Sequence, residues 1–356
     1  MIEKGINMVR REFLSKSFVF PFFPFIKNCK VSINRTEYIN KESKLAKVKK
    51  VLLTMQRASW EHGIAAQAFY EAGDMEIAYL MAVEAVHRQS DEGQLCVMYY
   101  ENGVTDPASA GEVVFRMWER TGDEYFKKGY ERMLDYLKNK APRTDGILHH
   151  VKNAPELWID SLYMAPPFLV VVGEYKDAIH QIRGYRKYLW DSDKKMFRHI
   201  FNIKEKKFRR VDFWGGGNGW AAAGMARVID TLPENYSEEK REIIQYVTEL
   251  LSGCIECMRD DGLFYDVIDN KDSFIEANLS QMLAYSIFKG INSGWLDKRW
   301  LKYGIKMRGG VSKCVDEHGF VRSVCGAPFF DRPGTSAEAQ AFFILMESEY
   351  EKLISK

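Results

Sequence analysis

Two aspartates and a small set of histidines and tryptophans are the residues of this chain best suited to chemistry. Asp106 opens the run TDPASAGEVVFRMWERTGD. Asp160 sits in LWIDSLYMAPPF, among Trp158, Ile159, Leu162 and Tyr163. An acid at a helix start is ordinarily an N-cap. Apolar neighbours, however, raise a carboxyl's pKa, and a second carboxylate raises it further. A carboxyl tuned in that way exchanges a proton near neutral pH, so Asp160 with Asp106 as partner forms the candidate catalytic pair. The doublet His149–His150 lies about ten residues upstream of Asp160, and His199 opens the run HIFN. The run WGGGNGW, from Trp214 through Asn218 to Trp220, lets backbone approach a ligand closely while two indoles stack on it. It lacks the G-x-G-x-x-G spacing and no clear strand precedes it, so a phosphate cradle is a weak reading. No H-E-x-x-H or comparable pair occurs, and neither a metal nor another cofactor is expected.

These groups need elements to hold them, and the chain repeats one kind of element six times. A polar or glycine-containing lead-in precedes a stretch rich in small and apolar residues near Trp60, Asp106, Asp160, Asn218, Asn278 and Ser336, at intervals of 46 to 60 residues. Such a period marks a recurring supersecondary unit. Between these segments lie amphipathic stretches with apolar residues at i, i+3, i+4 and i+7, such as EYFKKGYERMLDYLKN and SEEKREIIQYVTELLSGCIECM. Stretches apolar nearly all round belong inside, and those with a charged face belong outside. The expected fold is therefore all-α, a six-fold α/α barrel of six inner and six outer helices. If every inner helix enters from the same side, the six N-termini surround one concave pocket. Trp, His, Asp and Arg around such a pocket suit a sugar, whose apolar faces stack on aromatics and whose hydroxyls need paired donors and acceptors.

Composition narrows the partners. Lys+Arg 51 against Asp+Glu 49 leaves a net charge of +2, which gives no footprint for nucleic acid. With 22 Phe, 18 Tyr and 8 Trp the chain is not intrinsically disordered. Six scattered cysteines make no disulfide framework and fit a cytoplasmic protein. Residues 13–25 (FLSKSFVFPFFPF) are apolar, but Lys16, Pro21 and Pro24 interrupt them and no small-residue cleavage site follows, so residues 1–45 are read as an N-terminal arm. Residues 46–356 form a single catalytic barrel. No segment approaches the length of a membrane span. The expected partner is a small oligosaccharide, bound by a monomer or homodimer without nucleic acid or membrane.

From about Leu53 to Met346 the chain resembles the unsaturated rhamnogalacturonyl hydrolases, glycoside hydrolase family 105, with the unsaturated glucuronyl hydrolases of family 88 as relatives. LWIDSLYMAPPF, GNGWAAAGMARVI and TDPASAGEVVFRMWERTGD carry the resemblance most specifically. It implies an α/α barrel with Asp160 as general acid/base and Asp106 as its partner. One of His149 and His150, together with His199, Asn218 and Trp220, would line the sugar site, and Trp60, Trp158 and Trp214 are expected there as stacking surfaces. One departure stands out. Where many members have W-A-R-G-N-G-W, with an arginine for the uronate carboxylate, this chain has Gly216; Arg332 or Lys152 is the expected replacement.

The chemistry so implied is hydration of a vinyl ether in the 4,5-unsaturated uronic acid that a polysaccharide lyase leaves at a non-reducing end, with an unsaturated rhamnogalacturonan disaccharide as the expected substrate. Two other readings share the residues. An inverting glycosidase would use Asp106 and Asp160 as acid and base roughly 6.5–9.5 Å apart. A sugar-binding protein with an inactive pocket would release no product, and loss of either aspartate would be its mark, whereas both are present. A sugar epimerase is disfavoured because its usual histidine pair is not evident.

Overall fold

Helices rich in alanine and glycine lie inside in the computed structural model of the chain, which describes residues 42–98, 101–327 and 329–355. The arm expected over residues 1–45 lies outside the described residues as far as residue 41. The inner helices are α2 (Ser59–Glu71), α4 (Gly111–Thr121, entered through a 3-10 turn at Asp106–Ala110) and the broken pair α6 (Ser161–Met164) and α7 (Pro166–Val171). They continue with α9 (Gly215–Thr231), α11 (Asn278–Asn292) and α13 (Ala337–Ile354). Outside them run α1 (Lys44–Leu52), α3 (Met75–His87), α5 (Glu124–Asp135), α8 (Tyr175–Leu189), α10 (Ser237–Glu256) and α12 (Leu301–Cys314).

Sequence pattern sorts the two layers. Helix α9 is buried continuously from Gly215 to Ile229, whereas α10 buries only Ile243, Val247, Leu250, Leu251, Gly253 and Cys254 along one stripe. Each inner helix packs on the next, and α13 packs on both α2 and α1, which closes the ring. Glycine permits the closest approach. A Cβ at Gly224 of α9 would stand 2.2 Å from the Leu162 carbonyl oxygen of α6, so any larger residue would push these helices apart.

The connections differ at the two ends of the barrel. Inner helices pass to outer ones through short turns, four of which hold a glycine at positive φ: Gly73 (80°), Gly122 (69°), Gly173 (86°) and Gly294 (79°). Glycine adopts that conformation without the Cβ clash other residues meet. Outer helices return to inner ones through long stretches such as 88–105, 136–160, 190–214 and 315–336. These hold the small sheets, including the antiparallel sheet of β1 (Glu156–Trp158), β2 (Ile200–Asn202) and β3 (Lys207–Arg210) and the hairpin of β4 (Val324–Gly326) with β5 (Phe329–Gly334). All the long connections therefore gather over the N-terminal ends of the inner helices.

Aromatic side chains plug the barrel axis. Tyr163, Trp220, Phe342 and Tyr285 meet edge to face at centroid distances of 4.9 to 6.0 Å. A buried ionic cluster lies against this plug. Arg227 pairs with Glu112 at 2.8 Å and with Glu71, and its guanidinium also donates to Tyr285 Oη at 2.8 Å. Lys289 adds contacts to Asp230 at 3.4 Å and Glu349 at 3.5 Å.

Candidate active site

A cavity of about 540 Å³ opens at the N-terminal ends of the inner helices. Trp60, Asp106, His150, Trp158, Asp160, His199, Trp214 and Trp220 all line it, so the chain brings together eight of the eleven site residues expected from the sequence.

The two aspartates come from separate lead-ins. Asp106 begins the 3-10 turn before α4, and Asp160 occupies the N-cap position of α6, yet neither helix start shows a side-chain capping bond. Both carboxyls are left for other work. Ligand atoms of Asp106, His150 and Asp160 all lie within 4.8 Å of one another. The His150 ring sits between the acids, with Nε2 3.6 Å from Asp160 Oδ2 and Nδ1 3.9 Å from Asp106 Oδ1. Nδ1 is also 2.9 Å from Ser161 Oγ, to which Thr105 Oγ1 donates at 3.1 Å. This hydroxyl pair fixes the ring edge-on while the Trp158 indole stacks on its face at 4.5 Å and 17°.

Burial raises the Asp106 carboxyl to about 7, with the negative charges of Asp160 and Glu101 adding to the rise and His150 opposing it. Asp160 has a different distinction. Its Oδ1 is buried without a hydrogen-bond partner among the described residues, in a residue that faces the cavity. An unengaged carboxylate oxygen there can take or give a proton to a bound molecule.

A second set of rings continues the wall. His199 meets Trp158 edge to face at 6.0 Å and stacks on Trp214 at 4.5 Å. Trp214 Nε1 donates to Asp266 Oδ1 at 3.2 Å. Burial, reinforced by the charges of Arg210 and His150, holds His199 down at about 3, so its imidazole is neutral at physiological pH. The glycines of the run make room for these rings. A Cβ at Gly216 would stand 2.7 Å from Trp214 Cζ2, and one at Gly217 2.3 Å from Ile159 Cγ2.

Three expected residues do not line the cavity. His149 is buried with its Nε2 2.8 Å from Thr144 Oγ1, so the doublet divides into one site histidine and one structural one. Asn218 is buried completely and spends its amide on the Phe197 backbone N–H and carbonyl and on the Trp214 carbonyl, which locks the start of α9. Arg332 lies on the exposed β5 strand, paired with the neighbouring Asp331. Lys152, the other expected cation, is held by Glu92 Oε2 and Gln94 Oε1, each at 2.6 Å.

Other lining residues escaped the sequence reading. Glu101 accepts from Ser59 Oγ at 2.5 Å and from the Gly103 N–H at 2.7 Å, and nothing in its local sequence marked it. Glu338 lies in the first turn of α13, inside the sixth repeat, where a glutamate reads as a helix-dipole residue. Burial raises it to about 8, helped by the charge of Glu61, and its Oε2 has no hydrogen-bond partner among the described residues. Arg210, at the end of β3, and the half-exposed Phe330 complete the rim.

Asp106, His150 and Asp160 are also a group that could hold a metal ion. The imidazole directs its two nitrogens at different carboxylates, however, and Nδ1 is already engaged by Ser161, an arrangement better suited to moving protons between two acids.

Comparison with known proteins fits this architecture. The family model described as Glycosyl Hydrolase Family 88 matches residues 32–354. The chain is 28% identical over 283 residues to the unsaturated rhamnogalacturonyl hydrolase YesR of Bacillus subtilis (strain 168), covering 74% of this chain and 78% of that protein. It is 25% identical over 219 residues to an unsaturated 3S-rhamnoglycuronyl hydrolase of Formosa agariphila, covering 55% of this chain and 58% of the relative. Among solved structures, a family 105 glycoside hydrolase of C. acetobutylicum ATCC 824 superposes with a TM-score of 0.75 at 18% identity, over 87% of this chain and 99% of its own. That likeness is one of fold.

Proposed function

The chain belongs to Glycosyl Hydrolase Family 88, and from that premise we propose that this hydrolase, which removes an unsaturated uronic acid from oligosaccharides, works by hydrating the 4,5 double bond rather than by displacing the glycosidic oxygen directly. The observation that carries the reading is the close triad of Asp106, His150 and Asp160 in one cavity. An inverting pair needs roughly 6.5–9.5 Å between carboxyls to seat a water, and carboxylate oxygens of Asp106 and Asp160 that come within 4.8 Å of each other argue against that arrangement. Hydration of an enol ether has no such requirement.

In this scheme Asp160 delivers a proton from its unengaged oxygen to C4 of the unsaturated uronide. Positive charge develops at C5 and the ring oxygen, and the two carboxyl groups favour it electrostatically. Asp160, now a carboxylate, takes a proton from the water that adds at C5. C4 has gained hydrogen and C5 a hydroxyl. The hemiketal opens to a ketone, and the former C1 acetal, now a hemiacetal, breaks down and releases the remaining sugar with its oxygen. The raised carboxyl of Asp106 keeps a proton in the triad near neutral pH, and His150 is placed to relay charge between the acids. Trp158, Trp214 and Trp220 supply flat apolar surface for the sugar ring.

The substrate we favour is an unsaturated rhamnogalacturonan disaccharide, supported by the YesR likeness. Free thiols at Cys96, Cys254, Cys257, Cys314 and Cys325 fit a cytoplasmic setting; no helix among the described residues is long and apolar enough to cross a membrane.

Two assays test the scheme together. The protein is expected to bleach the ultraviolet absorbance of unsaturated oligosaccharides and leave saturated ones intact, and Asp160→Asn is expected to slow bleaching by about 10²–10⁴-fold. Turnover of saturated substrates, or an Asp160→Asn variant with near-normal rates, would overturn it.

A further inference from the structure

An acidic cavity that takes an acidic sugar needs a cation, and the motif position where one was expected is closed. Four carboxyl groups line the cavity, from Glu101, Asp106, Asp160 and Glu338. Any side chain at Gly216 would meet the Trp214 indole, which stacks on His199. Lys152 and Arg332 point their charges elsewhere, as described above. His199 is neutral, and His150 lies between two acids.

Arg210 is the one Lys or Arg lining the cavity among the described residues. Backbone geometry sets its direction. In the β2–β3 ladder Asn202 faces Lys207 and Phe201 faces Phe208, and regular pairing would then put Arg209 opposite Ile200. The ladder instead slips, and Ile200 pairs with Arg210. Cross-strand partners share a face of the sheet, and Ile200 lines the cavity. The bulge thus turns Arg210 inward and leaves Arg209 outside with Glu205 and Glu156. Asp212 Oδ2 holds Arg210 Nε at 2.9 Å, and its two Nη groups make no hydrogen bond among the described residues. A guanidinium anchored at one nitrogen presents a fixed pair of donors to a planar carboxylate.

We propose that Arg210, aimed into the cavity by the β-bulge opposite Ile200, binds the substrate's carboxylate and so selects for uronic acids in place of the motif arginine that Gly216 lacks. The inference rests on the unsaturated-uronide reading above. It gives the strand end, rather than the start of α9, the task of charge recognition.

The test compares kcat/KM for an unsaturated uronide as the free acid and as its methyl ester, in the wild type, Arg210→Met and Arg210→Lys. The wild type is expected to favour the acid. Arg210→Met is expected to lose about 10–150-fold on the acid, the range for a hydrogen-bonded charge. On the ester it should stay within about threefold, which also shows that the variant folds. Arg210→Lys should recover part of the loss on the acid alone. An equal fall on both substrates, no fall on the acid, or a wild type indifferent to esterification would overturn the assignment while leaving the hydrolase reading intact. A wild type that turns over neither substrate would remove that reading, and this assignment with it.

Discussion

Asp106→Asn is expected to stabilise the fold above neutral pH while disabling the enzyme. The Asp106 carboxyl ionises at about 7 in the folded chain against an ordinary 3.8. The folded state therefore holds a proton that the unfolded chain has released between those values, and its relative stability falls as pH rises through that window. The penalty is absent below about pH 4 and fully present above about pH 7. At 1.36 kcal/mol per pH unit, the gap amounts to about 4 kcal/mol. Asparagine matches the shape of aspartate and carries no charge at any pH, so the substitution removes this penalty. For a barrel of roughly 300 residues, an unfolding entropy of about 2.1 cal/mol/K per residue converts that energy to a rise in Tm of about 6 °C. Thermal melts of both proteins at pH 4.5 and pH 8 measure it: a small difference at the lower pH and a rise of several degrees at the higher. A gap that does not change with pH, or a variant less stable at pH 8, would refute the claim that Asp106 is strained by burial. In the same preparation, turnover is expected to drop by at least about 100-fold.

Two further outcomes follow from groups around the axis. Glu338 is raised to about 8 by burial, with the neighbouring carboxylates of Glu61 and Glu276 adding to the rise and Ser336 opposing it; its ionisation between pH 7 and pH 9 adds a negative charge to the cavity, so KM for an anionic substrate should climb over that range and stay flat in Glu338→Gln. Arg227→Ala strands Glu71 and Glu112 as buried unpaired charges, and urea unfolding should show a loss of about 3–5 kcal/mol.

The barrel was legible in the sequence because its physics is periodic. Small residues let inner helices pack closely, as Gly224 does against Leu162, and a single apolar stripe marks an outer helix such as α10, so pattern read together with the repeat period sorts the layers. The candidate acids were legible for a related reason: both stand at lead-ins where capping residues are expected, and the structure shows each with no such bond. The cation was not legible. Arg210 and Arg209 are adjacent and alike in sequence, and only a slip in the β2–β3 ladder decides which of them faces the cavity. His149 and His150 posed the same difficulty; neighbours in an extended stretch point opposite ways, and the register that chose His150 depends on Thr144 and Ser161. Glu101 had no local signal, since its place beside Ser59 depends on a contact 42 residues apart.

The unequal ends of the barrel divide the labour of change. Much of the chamber wall is lent by separate crossings, from Glu101 and Asp106 on one to Phe330 on another, while the opposite end is tied off by brief turns, most with a glycine in a conformation other residues adopt only under strain. Insertions or replacements within a single crossing can reshape one side of the chamber and leave the helical cylinder alone. A designer seeking room for a bulkier departing sugar would graft the β4–β5 hairpin first, well away from the two aspartates in sequence, and leave the short turns untouched.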